Sequence, residues 1–215
     1  MKTEMAYDMQ GKPHPVAEFR NDYGGQKFAF WIFMLTELMM FGILFLLFGI
    51  YFYRHAEIFA ASSGNLNLWL GGANTVILLV STYTMGVATL MMHRGKLRAS
   101  ALLVGATAVM AVAFLGIIGL EWSINIRHDI YLGSDVLDAM KKGEILFFGL
   151  YFVMTGLQGL HVIAGIILMF WVLLLIRSRS IRPEHTLIMK HVTLYWNFVH
   201  LVWILLFPLF YMIGV

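Results

Sequence analysis

The sequence predicts an all-α integral membrane protein, a bundle of five transmembrane helices with a cytoplasmic N-terminus and an external C-terminus. Three observations lead there. Of the 215 residues 60% are hydrophobic and 13% charged, more apolar side chain than a soluble domain of this length has core to hold. Five stretches reach the roughly 20 apolar residues a helix needs to cross about 30 Å of hydrocarbon. Finally, with five crossings, 11 of the 15 lysines and arginines fall on the N-terminal side of the membrane, which the positive-inside rule makes the cytoplasmic one.

Residues 1–27 mix Lys2, Glu4, Asp8, Lys12, Glu18, Arg20, Asp22 and Lys27 with Pro13 and Pro15. They lack an apolar region followed by a small-residue cleavage site, so they read as a retained polar tail, with the first span as its own insertion signal. The membrane domain is residues 28–215. Its spans run from Phe28 to Tyr53, Leu68 to Met92, Ala99 to Ile124, Ile145 to Ile176 and His191 to Val215. Helix is required, because lipid offers the backbone no partners and a barrel would show short alternating segments. The fourth stretch exceeds what a bilayer needs and is expected to tilt or project.

Ser62, Ser63, Gly64 and Asn65 read as a turn before the second span, and the acidic loop from Asn125 to Glu144 as a solvated connector. With no cysteine there is no disulfide framework, thiolate metal site or c-type haem attachment. The net charge of +3 comes from basic residues between apolar runs, which argues against a nucleic-acid partner. Arg182, His185, Lys190 and His191 cluster in a way suited to anionic headgroups. No phosphate loop and no Ser/His/Asp nucleophile arrangement is present.

The informative residues are those hydropathy would not choose. Glu37 lies ten residues past Lys27, hence about 15 Å deep. An ionised acid there costs about 2.5–3.5 kcal/mol, so it should be neutral or paired, serving either as an interhelical hydrogen bond or as a proton-exchanging group. Glu121, near the outer end of the third span, is expected to reach water or Arg127, an anchoring role. Thr155, Gln158 and His161 recur every three residues on the fourth span beside Gly159, Ala164 and Gly165. Thr193, Asn197 and His200 follow one another on the fifth. Each set reads as a polar stripe satisfied by a facing helix or a buried lipid headgroup. Trp196 and Trp203 read as packing or lipid-contact residues. A haem between His161 and His200 fits poorly, since they sit roughly 24 Å and 15 Å from the inner ends of their helices. Hydrogen-bonded core histidines are expected instead. A small proton-coupled transporter using Glu37 and Glu121 is an alternative of another class.

The segments FWIFMLTELMMFG, LNLWLGGANTVILLVSTYTM, FLGIIGLEW, GLQGLHVIAG and YWNFVHLVWILLFPLFY, in this order on five helices, resemble subunit III of the haem-copper respiratory oxidases. The likeness runs from about Gln26 to the end, in the short form found in bacterial quinol oxidases, some bacterial cytochrome c oxidases and relatives associated with nitric oxide reductases. It implies an accessory subunit without a redox centre, in the cytoplasmic membrane of a bacterium, that binds phospholipid and supports assembly and proton uptake. Haem and copper would be carried by the catalytic subunit I beside it, with subunit II and a small subunit IV as further partners. The resemblance places Glu37 at the family's intramembrane carboxylate, Glu121 at the acid ending the third span, and His161 at the second histidine of a His-Gly-x-His motif. Trp196 and Trp203 match the tryptophans of the last span. This chain departs at Gln158, where the first histidine of that motif is usual, and at Asn197 and His200, where the last helix usually reads Trp-His-Phe-x-Asp. A helper subunit of a nitric oxide reductase is the alternative within the family.

Overall fold

The structure, a computed structural model, describes residues 5–7, 13–15, 23–131, 133–178 and 187–214. Most of the polar tail, together with Arg182 and His185 of the basic cluster, lies outside the described residues. The chain forms two compact units, Met1–Leu38 and Met39–Val215. The first holds strands β1 (Met5–Tyr7) and β2 (Pro13–Pro15), paired antiparallel with Met5 opposite Pro15, and the opening half of helix α1 (Tyr23–Arg54). The second holds the rest of α1 and helices α2 (Ala56–Ser63), α3 (Leu68–His93), α4 (Leu97–Arg127), α5 (Asp135–Asp138), α6 (Lys142–Arg177) and α7 (Leu187–Tyr211).

Five helices, α1, α3, α4, α6 and α7, are long and apolar enough to cross a membrane. Helices α1, α4 and α6 run past the hydropathic limits at both ends, because backbone hydrogen bonding continues into polar flanks that hydropathy discounts; α3 keeps to its limits within one residue, and α7 is shifted, beginning at Leu187 and ending at Tyr211. Helix α6, with 36 residues, is about 54 Å long.

Local chemistry sets the ends. Asn67 caps α3 by accepting from the backbone N–H groups of Trp69 (3.0 Å) and Leu70 (3.3 Å), satisfying donors the first turn leaves over. At the other end Gly95 adopts φ +73°, with Gly95 N–H donating to Met92 O and Lys96 N–H to Met91 O. This is the paired closure of a Schellman motif, which needs the left-handed residue glycine supplies.

Two short helices depart from the sequence reading. Ser62 and Ser63 are buried in the last turn of α2 rather than forming a turn; the reversal follows, with Asn65 and Leu66 N–H donating to Ser62 and Ser63 O. Alternation of small and apolar residues over eight positions was too short to register as a helix. What holds α2 is tertiary: Ser63 Oγ donates to Phe210 O at 2.7 Å, and Phe59, fully buried, meets Phe48 and Phe147 edge to face, each at 5.4 Å. The acidic connector is also partly folded. Ser134 accepts from Leu137 N–H to start α5, whose Leu137 is buried.

Helix α7 is the most enclosed of the spans, with half of its central window buried. Against it lie Phe114 of α4, whose ring meets Trp203, and Tyr151 of α6, whose ring meets Phe210, both fully buried. The approach is close where a residue is small. A methyl on Gly165 would lie 2.8 Å from the Trp196 ring, and one on Gly71 would lie 2.8 Å from the Tyr211 ring.

Candidate functional site

In a span surrounded by lipid, polar side chains are useful first to one another. The second unit shows this along its whole length. Thr84 and Thr107 pair between α3 and α4 at 2.8 Å, and Thr89 and Thr193 between α3 and α7 at 2.7 Å. Trp122 Nε1 donates to Thr155 Oγ1 between α4 and α6 at 3.2 Å.

The α6 stripe faces α7. Gln158 is fully buried and its Nε2 donates to Val199 O of α7 at 2.9 Å, while its Oε1 has no hydrogen-bond partner. His161, half-buried, pairs its Nδ1 with Leu157 O one turn back at 2.8 Å; its ring meets Phe41 edge-on at 5.2 Å and stacks on Tyr195 at 6.5 Å. Tyr195 OH in turn donates to His161 O. The stripe expected on α7 does not stay together. His200 is 7% exposed and its Nδ1 lacks a hydrogen-bond partner, whereas Asn197 is exposed on the helix surface. Three residues along a helix leave two side chains about 60° apart around its axis, so at the margin of a narrow contact one can be buried and the other on the surface. Buried His200 therefore differs from the hydrogen-bonded histidine expected.

Trp196 and Trp203 are both fully buried, with no surface left for lipid. Trp196 Nε1 donates to Ser81 Oγ (3.1 Å) and Trp203 Nε1 to Thr75 Oγ1 (3.0 Å), stitching α7 to α3 at two levels. The Trp203 ring also meets Phe114 of α4 at 4.8 Å, edge to face.

Glu121 is 3% exposed. It does not turn out to Arg127, which is exposed; instead its Oε2 accepts from the hydroxyls of Tyr151 (2.9 Å) and Tyr211. One carboxyl oxygen thus joins α4, α6 and α7. The Asn67 backbone amide also faces the group, although no hydrogen bond closes on Oε1. The outward reading failed because two phenols reach the acid before water does. Glu37 lies in the first unit and is half-buried on α1.

Sequence reasoning missed Tyr151, Tyr211, Ser81 and Thr75. The usable signal was the phenol or indole itself, since a tyrosine or tryptophan sunk in an apolar run needs a partner for its polar atom. Among the described residues, no group of three or more histidines, aspartates or glutamates is assembled to hold a metal ion.

The fold and these contacts define a polytopic helical membrane protein whose intramembrane polar groups mostly hold its own helices in register. No family profile matches the chain, but individual proteins do. It is 28% identical over 197 residues to the cytochrome bo(3) ubiquinol oxidase subunit 3 of Pseudomonas aeruginosa, spanning 90% of this chain and 88% of that one. It is 27% identical to the quinol oxidase subunit 3 of Bacillus spizizenii over 98% of both chains. To the cytochrome c oxidase subunit 3 of Thermostichus vulcanus it is 29% identical over 85% of this chain and 84% of that one. The chain is thus similar over most of its length to subunits 3 of quinol and cytochrome c oxidases, which supports the resemblance to subunit III of the haem-copper respiratory oxidases.

Proposed function

We propose that this chain is the accessory, redox-silent third subunit of a proton-pumping haem-copper terminal oxidase in a bacterial cytoplasmic membrane. It packs beside a catalytic subunit that carries the haem and copper, with a subunit II and a small subunit IV as further neighbours. It binds phospholipid, aids assembly and sustains proton uptake by the catalytic subunit.

The supporting observation is the end-to-end similarity to subunits 3 of both quinol and cytochrome c oxidases. The internal chemistry agrees with it. The described buried tryptophans and the buried acid are engaged between helices, as befits a scaffold. Exposed apolar side chains such as Leu102, Val109, Leu120, Leu160 and Ile167 leave faces for lipid and for other membrane helices. Glu37 is the residue we assign to proton handling, as the intramembrane acid of the first span.

The test is purification in mild detergent from cells producing the chain at native level, with mass spectrometry of the partners and an optical spectrum. The expected result is co-purification with a haem-bearing subunit that reduces dioxygen. Isolation as a complete homo-oligomer without such a partner would overturn the proposal.

A further inference from the structure

The seam between α3 and α7 carries polar groups that the bundle itself does not serve. Asn197 is exposed on α7, and its side-chain amide pairs with none of the described residues. Thr82 lies seven residues from both Thr75 and Thr89, whose hydroxyls bond to Trp203 and Thr193 of α7, so it faces α7 as they do. Its Oγ1 is nonetheless buried without a hydrogen-bond partner. The pairs Ser81–Trp196 and Thr75–Trp203 fix an antiparallel register that sets Thr82 level with Asn197. Asn197 comes ten residues after the start of α7 and Thr82 eleven before the end of α3, each about 15–17 Å from that side of the membrane and so in the middle of the hydrocarbon.

Acyl chains at that depth offer an amide nothing to bond, and a side chain as short as asparagine's cannot reach the headgroups as lysine or arginine would. The surroundings are shaped for another helix. Along α7 the exposed positions Leu194, Asn197, Leu201, Ile204 and Pro208 recur at alternating intervals of three and four, the seam of a left-handed helix pair, in which a single asparagine fixes register and partner. On α3, Leu79, Thr82 and Gly86 follow the same spacing and share one flank. Leu79 is 59% exposed, and Gly86 is exposed with nothing within 4 Å of the place a methyl would take, so a second backbone has room to come close.

We propose that the outer side of the α3–α7 seam receives a transmembrane helix of another subunit, and that a side chain of that helix able both to donate and to accept, level with Asn197, pairs with the Asn197 amide. The apolar positions above and below supply the packing, and the amide sets the register. The proposal rests on the reading of this chain as one subunit of a membrane complex.

The test places a photoreactive benzophenone side chain at Leu201 in the intact complex in its native membrane and identifies what it captures by mass spectrometry. Expected is a spanning segment of a different polypeptide, with a donor-and-acceptor side chain within the captured stretch. Asn197→Leu should weaken retention of that polypeptide, followed as the detergent is made harsher, by roughly three- to fifteenfold, the worth of one hydrogen bond inside a membrane, while Asn197→Gln keeps most of it. Gly86→Leu has room within this chain and should lower the capture yield by obstructing the approach. Capture of a second copy of this chain, or of lipid alone, overturns the proposal, as does unchanged retention in Asn197→Leu. A helix captured from a complex without haem upholds the docking and removes the oxidase reading; capture of lipid alone in a haem-bearing complex does the reverse.

Discussion

Glu121 shows why a single intramembrane acid is hard to read from its neighbours in sequence. Its partners lie 30 and 90 residues away, and their placement depends on three helices meeting. Replacing one phenol leaves the other, so Tyr151→Phe and Tyr211→Phe should each lower stability modestly, about 0.6–1.7 kcal/mol by the range seen for polar contacts inside membranes. Glu121→Ala strands both hydroxyls in a buried site and should exceed either, at about 2–4 kcal/mol. Thermal unfolding of the purified complex in one detergent ranks the three; an alanine variant no worse than the phenylalanines would contradict the arrangement. Glu37 calls for a different readout. We predict that Glu37→Ala leaves assembly largely intact while lowering proton-linked turnover or shortening the lifetime of the active complex, because a half-buried acid adds little packing. Wild-type pumping and longevity would refute the role.

At the scale of helices, small residues are not equivalent. Gly159 and Gly165 lie on the same helix beside the same polar stripe. Yet a methyl on Gly159 would meet only Leu115 at 3.8 Å, an ordinary contact, whereas one on Gly165 would press into the Trp196 ring at 2.8 Å. Gly159→Ala should therefore be near neutral. Gly165→Ala should cost about 1–3 kcal/mol by overpacking and loosen the α6–α7 contact, visible as a drop in thermal midpoint that Gly159→Ala does not share. Gly95 has open space around it but a left-handed backbone, so Gly95→Ala should cost about 1 kcal/mol or somewhat more through strain alone. Gly105→Ala, inside α4 and also without close neighbours, serves as the control and should be neutral or slightly stabilising.

Over the whole molecule, what could be read early was what physics decides locally. Five spans emerge from hydropathy because the bilayer imposes one length on every crossing, and Gln158 emerges as interhelical because an amide in an apolar run has few other places to go. Less legible were features set by distant neighbours. Helix α2 is too short for periodicity to reveal and is secured by Phe210 and Phe147. Asn197 and His200 share a sequence pattern but not a fate, since α7 turns one to the surface and the other inward. The tyrosine partners of Glu121 required knowing which ends of three helices converge.

That convergence bears on how the chain is made. Helix α4 emerges from the ribosome 90 residues before Tyr211, so the translocon must release a segment whose acid still lacks one of its two donors. Near a helix end the acid can wait among the headgroups at small expense, and is drawn under cover only when the last helix arrives. Truncation just before Tyr211 should thus yield five inserted segments whose third has slid toward the water, a nascent intermediate that quality-control proteases can recognise.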